Sequence, residues 1–464
     1  MLGKKQLFRT LSRMASIITE NPKDNNESPE KIYVQQLTRA VAETDRLNAI
    51  VSLRGEFDHW DADRHDREIA AGAAIALMQK LGYALSVQGS DEEVVSICSV
   101  LEMVYRASSE KVASSFSSMG GTIVLPLMIR TIDRCINDGI DNNESAILNI
   151  VKVLSCFSRE NDAAVEMAHN EEFMNSLLRV VNEKDATNEV KLMSMRTIAN
   201  LSHAKNNMEK IAQHPCLLES VIDIAANNAC DRTREQAVRI IQNLACSSVN
   251  QVPMVQNDKI LDVLVELTSD LYEKTRRGAA RALQNLAFAR KNRLIMATYG
   301  DGALLESLVR LASSDEYEHA RLQATKALEN LINHDTIEVL GSHEGLLEAL
   351  AAVASLDGNE EVRSKAANAF KRLAAKIVAP MKCHSNLLKA LSNVADNDET
   401  VLASVILRQA TVVENCAAMD QDPGILEALA RIAYGPKAAN EAREYAVKTL
   451  QMLHENRLAM MRAI

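Results

Sequence analysis

The chain has 464 residues and a net charge of −10; 47% of it is hydrophobic but only 3% aromatic, with 16 glycines and 8 prolines. So few turn formers, beside abundant Ala, Leu, Glu, Lys, Arg and Met, exclude a sheet protein and predict a nearly all-helical one. The acidic balance argues against a non-specific nucleic-acid or membrane binder. No apolar run approaches the ~18 residues of a membrane span, and eight cysteines without a CxxC pair read as reduced core thiols.

The first 19 residues, MLGKKQLFRTLSRMASIIT, lack acids and carry Lys4, Lys5, Arg9 and Arg13. They read as a disordered basic tail, with an organelle transit peptide as the alternative. With the linker-like NPKDNNESPE they make residues 1–30 a tail and linker. Residues 31–90 hold two apolar-periodic stretches, separated by EFDHWDADRHD (Glu56–Asp66). They are expected to form a degenerate N-terminal helical cap, the acidic segment being a candidate to occupy the chain's own binding face.

From residue 91 to 464 one unit recurs. A long helix is followed by a polar stretch such as SHAKNN or ARKNR. A short apolar helix comes next (EKIAQHPCL, IMATYGDGA), then a turn with His, Asn, Asp, Pro or Gly. A second helix (LLESVIDIA, LLESLVRLA, ILEALARIA) and a charged turn lead to the next long helix. Near the end of the long helix stands a repeated asparagine: Asn200 in MRTIANLS, Asn243 in VRIIQNLA, Asn285 in ARALQNLA, Asn330 in TKALENLI and Asn415 in TVVENCA. Arg372 fills the slot between the last two, and Met103, Cys156 and Met452 take it at the ends. Asn is a poor mid-helix residue, so helix propensity does not account for the series.

Four residues earlier, 40° round the helix on the same face, stand Lys152, Arg196, Arg239, Arg281, Lys326, Asn368, Thr411 and Lys448. Six of these eight are basic in an acidic chain, which marks a one-sided stripe. A second basic set, nine residues before the asparagine slot, comprises Lys191, Arg234, Arg276, Arg321, Arg363 and Arg443. It lies on the opposite face beside Glu189, Asp231, Glu273, Glu318 and Glu361, and is expected to make structural pairs.

The period of about 43 residues, the short-long-long pattern and the phrases MGGTIVLPLMIR (Met119–Arg130) and YGDGALLESLVRLA (Tyr299–Ala312) resemble armadillo-repeat proteins. The resemblance covers residues 91–464. It implies an all-α fold: a right-handed α-solenoid superhelix of about eight to nine armadillo repeats. It also implies that the third helices line a concave groove whose asparagines hold the main chain of an extended peptide. Asn offers one acceptor and two donors, the complement of a peptide group. The alternative is that each asparagine bonds the backbone of the neighbouring repeat.

Importin-alpha-like grooves pair the asparagine with a tryptophan four residues earlier. Here Arg or Lys takes that position, and the one tryptophan, Trp60, lies outside the array. The stripe is similar to a basic, beta-catenin-like groove, a likeness also carried by NIVKVLSCFS (Asn149–Ser158). The expected ligand is therefore an acidic or phosphorylated linear segment of a partner protein. Its expected contacts are Asn200, Asn243, Asn285, Asn330, Asn415, Lys152, Arg196, Arg239, Arg281, Lys326 and Arg372. Three alternatives stand beside it: a stripe of merely solvated charge, a scaffold using its convex face, and a nucleic-acid ligand, the last disfavoured by the scarcity of aromatics for stacking. No GxxxxGK[ST], GxGxxG, GxSxG or HExxH occurs, and His343-Glu344 and His454-Glu455 lack the matching pairs an iron site needs. The expectation is a non-enzymatic, cofactor-free adaptor in the cytoplasm, with the nucleus also open.

Overall fold

The computed structural model describes residues 91–107, 125–343, 345–374, 419–421, 423–435 and 438–463, with scattered further positions such as 49–50, 76–78 and 80–81. Asn415, Trp60, the basic tail, the acidic segment 56–66 and the first six residues of the Met119–Arg130 phrase lie outside them. Of the expected cap, Ile50, Leu77, Met78 and Leu81 are helical and fully buried.

No strand occurs among the described residues. The chain divides into two compact units, residues 1–224 with 228–244, and residues 225–227 with 245–464. In the first, α1 (Asp91–Ala107), α2 (Leu125–Asn137) and α3 (Ile140–Phe157) precede two three-helix repeats. These are α4 (Asn161–His169), α5 (Glu171–Asn182) and α6 (Asn188–Leu201), then α7 (Met208–Ala212), α8 (Leu217–Asn227) and α9 (Asp231–Leu244). The second unit opens with α10 (Ser248–Val255), α11 (Asp258–Leu267) and α12 (Glu273–Leu286). It continues with α13 (Arg290–Thr298), α14 (Ala303–Ser314) and α15 (Glu318–Leu331), then α16 (Ile337–Ser342), α17 (Leu346–Leu356) and α18 (Glu360–Ala374). Helices α19 (Pro423–Tyr434) and α20 (Asn440–Ala463) pack on each other further along.

Like helices stack on like. In the first unit α3, α6 and α9 pack in succession; in the second, α12, α15 and α18 do so, while α11, α14 and α17 form the layer beside them. This is the armadillo-like arrangement that the sequence resembles. The chemistry of α9 shows why these segments fold so. Within DRTREQAVRIIQNL, Ala237, Val238, Ile240, Ile241 and Leu244 are all fully buried, a stripe wide enough to meet neighbours on two sides. Burying each Ile or Leu contributes about 1.5–3 kcal/mol.

Three of the short helices are joined to the next through a left-handed residue, Gly302 (φ 98°), Gly345 (φ 80°) and, in the same slot, Cys216 (φ 62°), whereas Asn170 and Asn257 make the turn in extended conformation. Glycine enters this conformation without a Cβ clash, so its place after the first helix is conformational. A buried polar residue at the start of the short helices then closes the long ones. Asn207 donates to Leu201 O (3.0 Å) and Ala164 O (3.0 Å). Asn292 donates to Leu286 O (2.9 Å) and Gln251 O (2.8 Å), and Thr336 to Leu331 O (2.6 Å). The carbonyls of Leu201, Leu286 and Leu331 end their helices and are the ones a helix end leaves without an internal partner. The described cysteines are free, and burial pushes the Cys98 thiol up to about 12.

Candidate peptide-binding face

The asparagine series lies near the C-terminal ends of the third helices and turns back onto the preceding repeat. Asn200 Nδ2 donates to Ser155 O (3.2 Å) and Ser158 Oγ (3.1 Å). Asn243 Nδ2 repeats this on Ala199 O (3.1 Å) and Ser202 Oγ (3.0 Å). Asn330 Nδ2 donates to Gln284 O (3.2 Å), and Asn285 Nδ2 to Cys246 Sγ (3.1 Å). Asn200, Asn243 and Asn285 are buried. Both amide hydrogens of Asn200 and of Asn243 are thus spent inside the stack. Only Oδ1 is left to meet a ligand, so a clamp that also donates has no hydrogen to give at these two rungs. The neighbouring-backbone alternative describes their amide groups. Arg372, in the slot without asparagine, does the same work with a longer reach, donating to Glu329 O (3.0 Å) and to Ile332 O.

The stripe divides into paired and unpaired members. Lys152 meets Glu189 (3.3 Å) and Lys326 meets Glu361 (2.8 Å). Each acid stands eleven residues before the asparagine slot of the next repeat, three turns of helix away and 20° off its line. At that position before Asn243 the chain has Arg232. Arg196, which occupies the place of Lys152 one repeat on, therefore faces a guanidinium instead of a carboxylate. Its pKa is lowered, first by burial and then by Arg159, Arg239 and Arg232, with Cys156 opposing. Arg239 is lowered too, by burial and by Arg159, while Glu235 acts against the shift. No carboxylate forms an ion pair with Arg159, Arg196, Arg232 or Arg239 among the described residues. Arg159, Arg232 and Arg239 thus all lie close enough to Arg196 to repel it, Arg196 and Arg239 being half-buried and Arg159 and Arg232 exposed.

Arg159 and Arg232 were not among the expected contacts. Their signal is present in the sequence, three residues past the slot held by Cys156 and eleven before Asn243. In the second unit Arg281 is exposed and lies close enough to Cys246 to pull against the burial that raises its thiol. Lys448 pairs along its own helix with Glu444 (2.5 Å).

The arginines of the second basic set are structural, whereas Lys191 makes no such bond among the described residues. Arg276 donates to Asp270 O (2.9 Å) and Leu271 O (3.1 Å) and clasps Asp315 (2.6 and 3.2 Å). Arg321 donates to Asp315 O (2.8 Å) and Glu316 O (3.1 Å) and clasps Asp357 (2.5 and 3.1 Å). Arg234, Arg363 and Arg443 likewise hold Asn228 O, Asp357 O and Gly435 O, each at 2.8 Å. The expected acid partner is found for Arg234, on Asp231 (2.7 Å). Arg276 and Arg321 instead reach the loop of the following repeat, and the freed Glu189 and Glu361 serve the stripe lysines. The hydrogen bonds to Asp315 and Asp357 hold both guanidinium groups above their ordinary pKa. No group of His, Cys, Asp and Glu that could hold a metal, and no helix long and apolar enough to cross a membrane, occurs among the described residues.

No family model and no curated protein matches the chain. Among solved structures it is similar to an engineered protein at a TM-score of 0.58 and 16% identity, over 92% of this chain and 99% of that one, a likeness of fold. A designed armadillo repeat protein in complex with the peptide (KR)4 matches at a TM-score of 0.45 and 22% identity over 54% of this chain and 99% of the design. A computationally designed armadillo repeat protein for modular peptide recognition matches at 0.45 and 23% over 53% and 99%. These two likenesses are too distant to extend to this chain what the designs bind.

Proposed function

We propose that the chain is a non-enzymatic adaptor that binds an extended acidic or phosphorylated segment of a partner protein across the arginine cluster of its first unit. One observation carries the reading: Arg232 stands where Glu189 and Glu361 stand before Asn200 and Arg372, so Arg196 faces a guanidinium in place of a carboxylate. Unrelieved guanidinium repulsion on a half-buried face is lowered by an anion, and the planar fork suits carboxylate and phosphate. Asn200 Oδ1 and Asn243 Oδ1 contribute acceptors for the ligand's main-chain N–H groups. Arg281 offers an exposed guanidinium in the second unit by itself. Asn285, Asn330, Lys326 and Arg372 serve mainly to hold the stack, through the bonds described above. Asn415 belongs to the proposed series by register alone.

The test installs the pairing seen at Lys152 and Lys326. Arg232→Glu is expected to pair with Arg196 as Glu189 pairs with Lys152, without loss of folding. Binding of a fluorescein-labelled deca-glutamate peptide, read by anisotropy, is expected to weaken about 10- to 100-fold. Undiminished binding by a folded Arg232→Glu protein would remove the cluster from the site.

A further inference from the structure

We propose that the loops entering the third helices of the second unit form a separate docking edge, which takes a basic segment of a partner protein carrying a large apolar anchor. Leu271 is 96% exposed, Leu356 74% and Tyr317 44%. They stand on three successive loops: between α11 and α12, between α14 and α15, and at the end of α17 before α18. Such exposure on a slack loop would mean little. Here the loops are pinned. Arg276 binds the Leu271 carbonyl, clasps Asp315 and lies 5.6 Å from the centre of the Tyr317 ring. Arg321 binds the carbonyls of Asp315 and Glu316 just before Tyr317 and clasps Asp357, whose own carbonyl is held by Arg363. The apolar tips are therefore presented in fixed positions, one repeat apart, as a preorganised binding edge requires.

A cavity of about 300 Å³ opens between the second and third of these loops. Ala352, Val353 and Leu356 give it an apolar wall; Ser313, Ser314 and Asp357 line its polar side. Its size suits one large side chain. The exposed charge is mainly acidic: Glu316, Glu318, Glu360 and Glu361, against Lys274 and Arg310, while Arg321 in the cavity wall is neutralised by Asp357. That charge selects the occupant. A second copy brought edge to edge would set these glutamates against their own kind, and an anionic membrane surface would repel them. A basic segment neutralises the rim while its apolar residue fills the cavity.

The probe is a fluorescein-labelled peptide of alternating lysine and leucine blocks, with lysine–serine and glutamate–leucine counterparts, titrated into the full chain. The lysine–leucine peptide is expected to bind and the two counterparts to bind at least tenfold more weakly. Leu271→Ser with Leu356→Ser, both at exposed positions, is expected to weaken binding at least tenfold, and Glu316→Lys with Glu360→Lys to do the same. Equal binding by either variant, or by the lysine–serine peptide, overturns the proposal. So does a concentration-dependent dimer in sedimentation that the leucine variant abolishes, because it assigns the edge to a second copy. Deca-glutamate binding is expected to be unchanged in the leucine variant, which separates this edge from the arginine cluster.

Discussion

Arg321→Met is expected to lower the unfolding free energy of the second unit by about 3–5 kcal/mol, the cost of leaving a buried partner charge alone. The Asp357 side chain is only 5% exposed and that of Arg321 17%. The substitution removes the carboxylate's only cation among the described residues, leaving it the Asn359 N–H (2.8 Å), and also releases the carbonyls of Asp315 and Glu316. Urea unfolding followed by circular dichroism reads the loss, and hydrogen exchange should show it first in the loops around 315–317 and 357–359. Lys326→Met supplies the contrast. Its partner Glu361 is 56% exposed, and such a pair contributes about 0–1 kcal/mol. Equal losses from the two substitutions would mean that burial does not distinguish them, and the assignment of the second basic set to the framework would fail.

Asn200→Asp is expected to destabilise the first unit by about 2–4 kcal/mol, more than a ligand contact would explain. The shape is kept, but both donors to Ser155 O and Ser158 Oγ disappear and a carboxylate faces a carbonyl at a position only 8% exposed. A rung that served the ligand alone would lose binding and keep its stability. The same denaturant titration decides, with unchanged unfolding as the outcome against a structural rung.

The repeat was legible because it rests on periodicity. The phrases around Asn200, Asn243, Asn285 and Asn330 recur at 43, 42 and 45 residues, and the third helices they mark do stack in each unit. The direction of the asparagine side chains was not legible. A helical wheel gives the angle of a residue about one axis, whereas Asn200 is claimed by carbonyl and hydroxyl groups of a neighbouring helix. The stripe shows the same limit. Lys152 and Lys326 look as basic as Arg196 until the stack brings Glu189 and Glu361 beside them. Pairing across repeats needs two registers at once, four residues before one slot and eleven before the next. Read that way, Arg232 is what sets Arg196 apart from Lys152 in the first unit.

The most direct test of the central claim is a titration of the full chain with labelled deca-glutamate and deca-glutamine at low and physiological salt. Deca-glutamate is expected to bind, deca-glutamine to show no binding, and the affinity to fall as salt screens the exposed arginines, the Debye length being about 8 Å at 0.15 M. Equal affinity for the two peptides, or none for either at low salt, would contradict the account.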